Sequence, residues 1–123
     1  MKQRIIKFRA WNGEKMFDVS AIDFAGYKIL DNETRLDEWS RWKKDCVLMQ
    51  FTGLLDKNGK EIYEGDICKE QFNHGWCNCE IVYDNAGFFI KNEKEEIKDN
   101  LNWHSNGLEV IGNIFENPEL LNQ

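Results

Sequence analysis

Apolar and polar residues alternate in short runs along the chain, and these runs predict strands rather than helices. Residues 4–11 alternate between apolar and basic side chains, the period expected of a strand with one buried face. Asn12-Gly13 then favours a two-residue hairpin turn, because both turn positions need a positive φ. Residues 15–19 are the predicted return strand, and the apolar run at 22–30 predicts a further strand.

The middle of the chain is polar as far as residue 44 and then becomes apolar. In residues 31–44, Leu36 and Trp39 lie at helical spacing, which fits either a short helix or an ordered loop. Residues 46–52 are apolar on both faces, and this pattern predicts a central strand of a sheet.

Three consecutive strands are predicted in the second half of the chain, at residues 66–72, 76–84 and 86–91. Gly65-Asp66 lies at the start of the first of them. This pair favours a sharp chain reversal, in which Gly supplies the permissive backbone and Asp caps the turn.

The remaining C-terminal residues predict two turns and one strand. Residues 93–103 are rich in charge, and Ile97 and Leu101 are four positions apart, which predicts one or two helical turns. Residues 108–114 form the last predicted strand. Pro118 then begins a short C-terminal turn.

Short strands separated by turns rich in glycine and asparagine are typical of a small antiparallel barrel. A chain of 123 residues with 41% hydrophobic residues can bury a core, which excludes a disordered tail. The predicted fold class is mainly β. Residues 1–48 are predicted to form a β-hairpin with a short helix or ordered loop, and residues 49–123 a barrel. The two parts are predicted to pack together as one compact unit.

Charge is distributed unevenly along the chain, which carries −6 overall. Residues 1–16 sum to +4, residues 17–49 to −2 and residues 50–123 to −8. The overall charge excludes a polycation that coats nucleic acid or an anionic membrane. The remaining candidate nucleic-acid surface is the basic N-terminal strand, with Arg4, Lys7, Arg9 and Trp11. The alternative interpretation is a basic strand at the edge of a sheet, where lysine prevents edge-to-edge pairing.

The chain contains four cysteines and no secretion signal, which predicts reduced thiols. The alternative is a zinc site, whose candidate ligands are Cys68, His74, Cys77 and Cys79. The spacing opposes zinc, because the close pair is Cys-x-Cys within a predicted strand rather than Cys-x2-Cys. Strand alternation places Cys77 and Cys79 on one face with Ile81 and Tyr83, which predicts a buried core. No metal or other cofactor is predicted.

Motifs that carry known chemistry are missing from the sequence. It contains no phosphate-binding glycine loop, no nucleophile elbow and no paired-histidine zinc motif, and no apolar run approaches the roughly 20 residues of a membrane span. His74 and His104 lie in predicted loops, which favours solvated side chains. The acidic run at residues 93–99 is interpreted as a solvated face. The sequence therefore predicts a protein that is not an enzyme.

Four segments carry a family resemblance. They are IKFRAW at 6–11, MQFTGLLDKNGKEIYEGDI at 49–67, AGF at 86–88 and EVIGNIFENPELL at 109–121. Together, and in this order, they resemble the YopX-like proteins of phages and prophages of low-GC Gram-positive bacteria. The resemblance implies an SH3-like barrel in the C-terminal part, a phage gene and a location in the host cytoplasm. It implies no activity and no catalytic residue.

These observations predict a non-enzymatic phage accessory protein that binds another protein, of phage or host origin. The sequence has five Trp, eight Phe and three Tyr, and aromatic residues are enriched at protein interfaces. Self-association through unpaired edge strands is a second form of the same hypothesis. The alternative function is nucleic-acid association through the basic N-terminal strand. No membrane partner is predicted.

Overall fold

The computed structural model describes residues 3–73 and 75–122 of the chain. Within these residues it contains strands and short 3-10 turns, with no α-helix. The strands are β1 (Phe8–Trp11), β2 (Met16–Asp23), β3 (Lys28–Asp31), β4 (Val47–Leu55), β5 (Glu61–Tyr63), β6 (Asp66–Phe72), β7 (Gly75–Asp84), β8 (Gly87–Asn92), β9 (Ile97–Asn100) and β10 (Glu109–Asn113). The 3-10 turns are Trp39–Arg41, Leu101–Trp103 and Pro118–Asn122.

The described strands form two antiparallel sheets, with the orders β3-β2-β1-β4-β5 and β10-β6-β7-β8-β9. The prediction of a mainly β fold is confirmed. Neither sheet closes on itself within the described residues. The chain divides into two compact units, an N-terminal unit of Ile6–Gln50 and a C-terminal unit of Phe51–Gln123 with Met1–Ile5.

The N-terminal unit has a small core on one face of its strands. Ala10 of β1, Phe17 of β2 and Ile29 of β3 are buried together, with Val19 and Leu48 partly buried against them. Alternation along β1 and β2 places these side chains on the same face, as the sequence pattern predicts. A hairpin connects the two strands at the predicted place, but the predicted two-residue turn is wrong. The loop has four residues, because Trp11 pairs with Met16 and Asn12 Oδ1 accepts backbone hydrogen bonds from Glu14 and Lys15.

The apolar run at residues 22–30 is two strand ends and a turn, and not the single strand predicted. The turn lies between β2 and β3 because the Asp23 carboxylate accepts a hydrogen bond from Gly26 N at 2.8 Å. Such a side-chain bond to the backbone three residues later favours reversal over continued extension. Tyr27 then adopts φ +53°, which returns the chain into β3.

Residues 31–44 form an ordered loop with one 3-10 turn, which decides between the two predicted alternatives. Asp31 organises its beginning, because Oδ1 accepts backbone hydrogen bonds from Glu33 and Thr34. The Lys43 ammonium lies 3.2 Å from Asp31 Oδ2 at the other end of the loop. Burial alone raises the pKa of Asp31, but these hydrogen bonds outweigh it and lower the pKa to about 2.

The C-terminal unit is built on a meander of β6, β7, β8 and β9, and β10 returns to pair with β6. Its core comprises nine buried side chains, Ile62, Cys68, Cys77, Cys79, Ile81, Ile90, Leu101, Leu108 and Val110. The predicted strand at 66–72 coincides with β6. The predicted turn cap is confirmed as well, because Asp66 Oδ2 accepts a hydrogen bond from Tyr63 N at 2.8 Å and Gly65 has φ +86°.

The helical turns predicted at residues 93–103 are wrong for most of that segment. Ile97 lies in β9, which pairs with β8, and only Leu101–Trp103 forms a 3-10 turn. The four-residue spacing of Ile97 and Leu101 is that of a helix, but Ile97 contacts the core from a strand and Leu101 from a 3-10 turn. Leu101 is fully buried because the chain turns inward where β9 ends.

Candidate functional site

The predicted basic surface lies on a strand with a partner on each side. β1 pairs with β2 through Arg9 and Asp18 and with β4 through Arg9 and Met49. The expectation of an edge strand is therefore wrong, because the sheet places β1 between two neighbours. Lys7, Arg9 and Trp11 are partly buried, and Arg4, which precedes the strand, is exposed.

The cysteines of the proposed zinc cluster are core residues. Cys68, Cys77 and Cys79 are buried, and Cys68 and Cys79 are opposite each other on β6 and β7. Burial raises the pKa of all three thiols, that of Cys79 to about 12, which opposes thiolate ligation. His74 lies outside the described residues. Among the described residues no three His, Cys, Asp or Glu side chains are grouped to hold a metal ion.

The predicted core face of β7 ends sooner than the alternation indicates. Ile81 is fully buried with Cys77 and Cys79, as predicted, but Tyr83 is exposed and packs edge-on against Phe88. Tyr83 lies at the end of the β7–β8 hairpin, near the turn that begins at Asp84. The prediction that Tyr83 belongs to the core is therefore wrong.

His104 is a packed residue and not the solvated loop side chain predicted. Its ring lies between two carboxylates, with Nδ1 3.1 Å from Glu70 Oε2 and Nε2 2.9 Å from Asp99 Oδ2. The Phe72 ring covers it, at a centroid distance of 5.6 Å. Asp99 therefore does not belong to a purely solvated face.

The most exposed apolar surface of the N-terminal unit lies at the β2–β3 turn. Phe24 is 74% exposed and Tyr27 is 83% exposed, although both are large aromatic side chains. A groove of about 410 Å³ lies beside them. It is lined mainly by apolar side chains, including Ile22, Ile29 and Leu48, together with Lys28 and Lys44. We call Phe24, Tyr27 and this groove the aromatic tip.

The backbone of the aromatic tip is held from both sides. The Asp23 carboxylate binds Gly26 N, and a Cβ on Gly26 would meet that carboxylate and, at 3.3 Å, the Trp39 ring. Lys28 fixes the adjacent loop, because its ammonium lies 4.6 Å from the centroid of the Trp39 ring and donates to Trp39 O. Trp39 packs on Trp42 at a centroid distance of 4.8 Å.

The aromatic tip was not predicted, because the apolar pattern of residues 22–30 indicated one strand. The available signal was Phe-Ala-Gly-Tyr directly after Asp23. An aspartate three residues before a glycine marks a turn, and aromatic residues within a turn are exposed unless another element covers them. The segment therefore carried the information needed to place Phe24 and Tyr27 at a hairpin end.

A family model for the YopX protein matches residues 7–122 of the sequence. The chain belongs to the YopX family. The crystal structure of protein EF1440 from Enterococcus faecalis is similar, with 30% sequence identity, a TM-score of 0.68, and coverage of 97% of this chain and 99% of that one. The crystal structure of yopX from Bacillus subtilis shares the fold, with 24% identity, a TM-score of 0.64, and coverage of 94% and 95%. None of the curated proteins compared with this chain matches it.

The family resemblance predicted from the four sequence segments is thus confirmed. The match extends over nearly the whole chain, and it does not indicate an activity. No helix in the described residues is both long enough and apolar enough to cross a membrane.

Proposed function

We propose that this YopX-family protein acts by binding another protein through the aromatic tip, and not by catalysis. The observation that carries the proposal is the exposure of Phe24 and Tyr27 beside an apolar groove. Two large aromatic side chains held on a defined turn supply contact area at a low cost in conformational entropy. Aromatic residues of this kind dominate the binding energy at protein interfaces.

The groove favours an apolar segment of the partner protein. Its lysines, Lys28 and Lys44, lie with Asp23 and Asp45 at the groove, so it carries no excess charge of either sign. Apolar contact therefore provides the affinity, and the surrounding charges form a polar rim. This arrangement differs from a phosphate-binding surface, which requires clustered cations.

We place this binding in the cytoplasm of a bacterial host and in the life cycle of a phage or prophage, as the resemblance of the sequence implies. We also propose an SH3-like barrel for the C-terminal unit. Its strand order, β10-β6-β7-β8-β9, and the 3-10 turn between β9 and β10 support that assignment.

The test compares the natural protein with the double variant Phe24→Ala, Tyr27→Ala. A partner captured from host lysate with tags at either end is purified, and its affinity for both proteins is measured by calorimetry. We expect the double variant to bind at least about 30-fold more weakly, the loss of about 2 kcal/mol that defines an interface hot spot. Trp103→Ala is the matched control, because Trp103 is 76% exposed and lies in the other unit.

Two results would contradict the proposal. One is a partner whose affinity is unchanged in the double variant, and the other is the failure to capture any partner with either tag position. Sedimentation equilibrium tests whether the occupant of the groove is a second copy of this chain. A dimer that the double variant abolishes would identify the occupant of the groove as a second copy of this chain instead of a different protein.

A further inference from the structure

A second exposed aromatic residue lies in the C-terminal unit, on β7. Trp76 is 55% exposed, and two lysine ammonium groups approach its ring. Lys69 Nζ lies 5.1 Å and Lys57 Nζ 5.9 Å from the ring centroid. A groove of about 300 Å³ beside the ring is lined by Lys69, Trp76, Asn78 and Ile111.

The sheet positions Trp76 and Lys69 on the same face. Gln71 is opposite Trp76, and Lys69 is opposite Asn78, so Lys69 and Trp76 are diagonal neighbours on adjacent strands. The buried Cys68 and Cys77 occupy the other face of the same two strands. The exposed position of Trp76 is therefore set by the register of β6 and β7.

Lys57 reaches the ring from a turn that is fixed to β10. Lys57 N donates to Leu108 O at 2.9 Å, and Asp56 Oδ2 accepts from Val110 N at 2.9 Å. Asp56 Oδ1 accepts two more backbone hydrogen bonds, from Asn58 and Lys60. The buried Asp56 carboxylate thus holds the turn that brings Lys57 to Trp76.

The two lysines place positive charge in a region that is otherwise acidic. Residues 50–123 sum to −8, yet neither Lys57 nor Lys69 forms an ion pair with a carboxylate in the described part of the chain. The acid nearest in register is Glu109, opposite Lys69 on β10. A cation is held only weakly on an exposed aromatic face, so both ammonium groups stay available to an anion.

We propose that Trp76, Lys57 and Lys69 form a binding site for single-stranded nucleic acid. A base stacks on the indole ring, and the phosphates on either side of it contact the two ammonium groups. A nucleotide unit combines a flat ring with an adjacent anion, which matches a ring flanked by cations. An acidic peptide supplies the anions without the ring, so the exposed indole favours nucleic acid over peptide.

The small number of cations determines how the site should respond to salt. Two phosphate contacts on a single strand predict a slope of about −1.4 for the logarithm of affinity against the logarithm of salt concentration. The acidic surroundings limit the site to few nucleotides and weak binding. This surface was not predicted from the sequence. The net charge of −8 over residues 50–123 does not show that two lysines are close together in the fold.

The experiment uses the full chain and a fluorescein-labelled oligothymidylate of about 12 nucleotides, a length within the range that single-strand binding folds cover. Fluorescence anisotropy is measured from about 50 mM salt upward, where phosphate-dependent binding weakens steeply. We expect Trp76→Ala to weaken binding about 5- to 150-fold, the effect of losing one stacked base. Trp76→Phe keeps a smaller ring and should give an intermediate loss.

Charge variants test the phosphate contacts separately from stacking. Lys57→Gln and Lys69→Gln should each reduce the salt slope by about 0.7, since each removes one phosphate contact. Glu109→Gln should strengthen binding, because it removes the carboxylate opposite Lys69. The matched controls are Trp103→Ala and Lys94→Gln, both at exposed positions of the same unit, and both should bind as the natural protein does. Circular dichroism establishes that each variant is folded.

Three outcomes would overturn the proposal. The first is no binding at about 50 mM salt, where weak phosphate-dependent sites are still occupied. The second is binding that Trp76→Ala leaves unchanged in a folded protein. The third is equal competition by polyglutamate. The last result would assign the surface to an acidic peptide. None of these outcomes affects the aromatic tip, which is tested by different variants in the other unit.

Discussion

The imidazole of His104 and the carboxylate of Glu70 form a hydrogen bond of 3.1 Å, although they are 34 residues apart in the sequence. The His104 side chain is 19% exposed, and Glu70 is buried. The other ring nitrogen faces Asp99. The ring therefore connects a carboxylate of β6 with a carboxylate of β9.

Replacing His104 should therefore destabilise the C-terminal unit. In His104→Leu the buried Glu70 carboxylate loses the imidazole and keeps a hydrogen bond from Gln71 N, at 2.8 Å. We expect a loss of about 2–3 kcal/mol in the free energy of unfolding, measured by urea titration. In the double variant His104→Leu, Glu70→Leu the loss should be smaller than the sum of the single losses. Additive losses would show that the two side chains do not interact.

Asp31 should make the stability of the N-terminal unit dependent on pH in the acid range. Its pKa is lowered from 3.8 to about 2, so its contribution is present above pH 3.8 and is lost as the pH falls towards 2. Asp31→Asn should cost about 2 kcal/mol at pH 7 and progressively less below pH 4. Urea unfolding at a series of pH values measures this difference. Asp37→Asn, at an exposed position, is the control and should have little effect at any pH.

Removing the Asp56 carboxylate should affect both stability and the proposed nucleic-acid site. Burial alone raises the pKa of Asp56, but backbone hydrogen bonds from Val110, Lys60 and Asn58 lower it overall. Asp56→Ala leaves those donors without this partner, and we expect a loss of about 2–3 kcal/mol in a urea titration. Asp84→Asn removes an exposed carboxylate that pairs with Lys98, and it should destabilise the protein much less than Asp56→Ala does. Equal effects of the two variants would contradict the anchoring role of Asp56.

The four thiols should differ strongly in reactivity. Cys46 is partly exposed, whereas Cys68 and Cys79 are fully buried, with pKa values that burial raises well above the ordinary range. Alkylation requires an accessible thiolate, so iodoacetamide at neutral pH should label Cys46 first. Mass spectrometry after timed labelling identifies the order, and labelling in urea provides the control with all four sites accessible. Early labelling of Cys68 or Cys79 in the folded protein would contradict the assigned core.

The strands themselves follow from local sequence patterns. Alternation predicted β1 and β7. The Gly65-Asp66 turn was predicted because glycine permits the backbone conformation of a sharp reversal and aspartate caps it. The prediction of helical turns was wrong where few apolar residues mark the period, as for Ile97 and Leu101. Here the pairing of β9 with β8 determined the structure, and a local pattern contains no information about that neighbour.

The sequence by itself thus determined the mainly β class, the family, and the Gly65-Asp66 turn. Only the tertiary structure decided that β1 is a central strand, that His104 meets Glu70, and that Lys57 and Lys69 converge on Trp76. The physical reason is the range of the interactions. Backbone preferences act over a few residues and can be read along the chain, whereas strand order and side-chain clusters arise from contacts between distant segments.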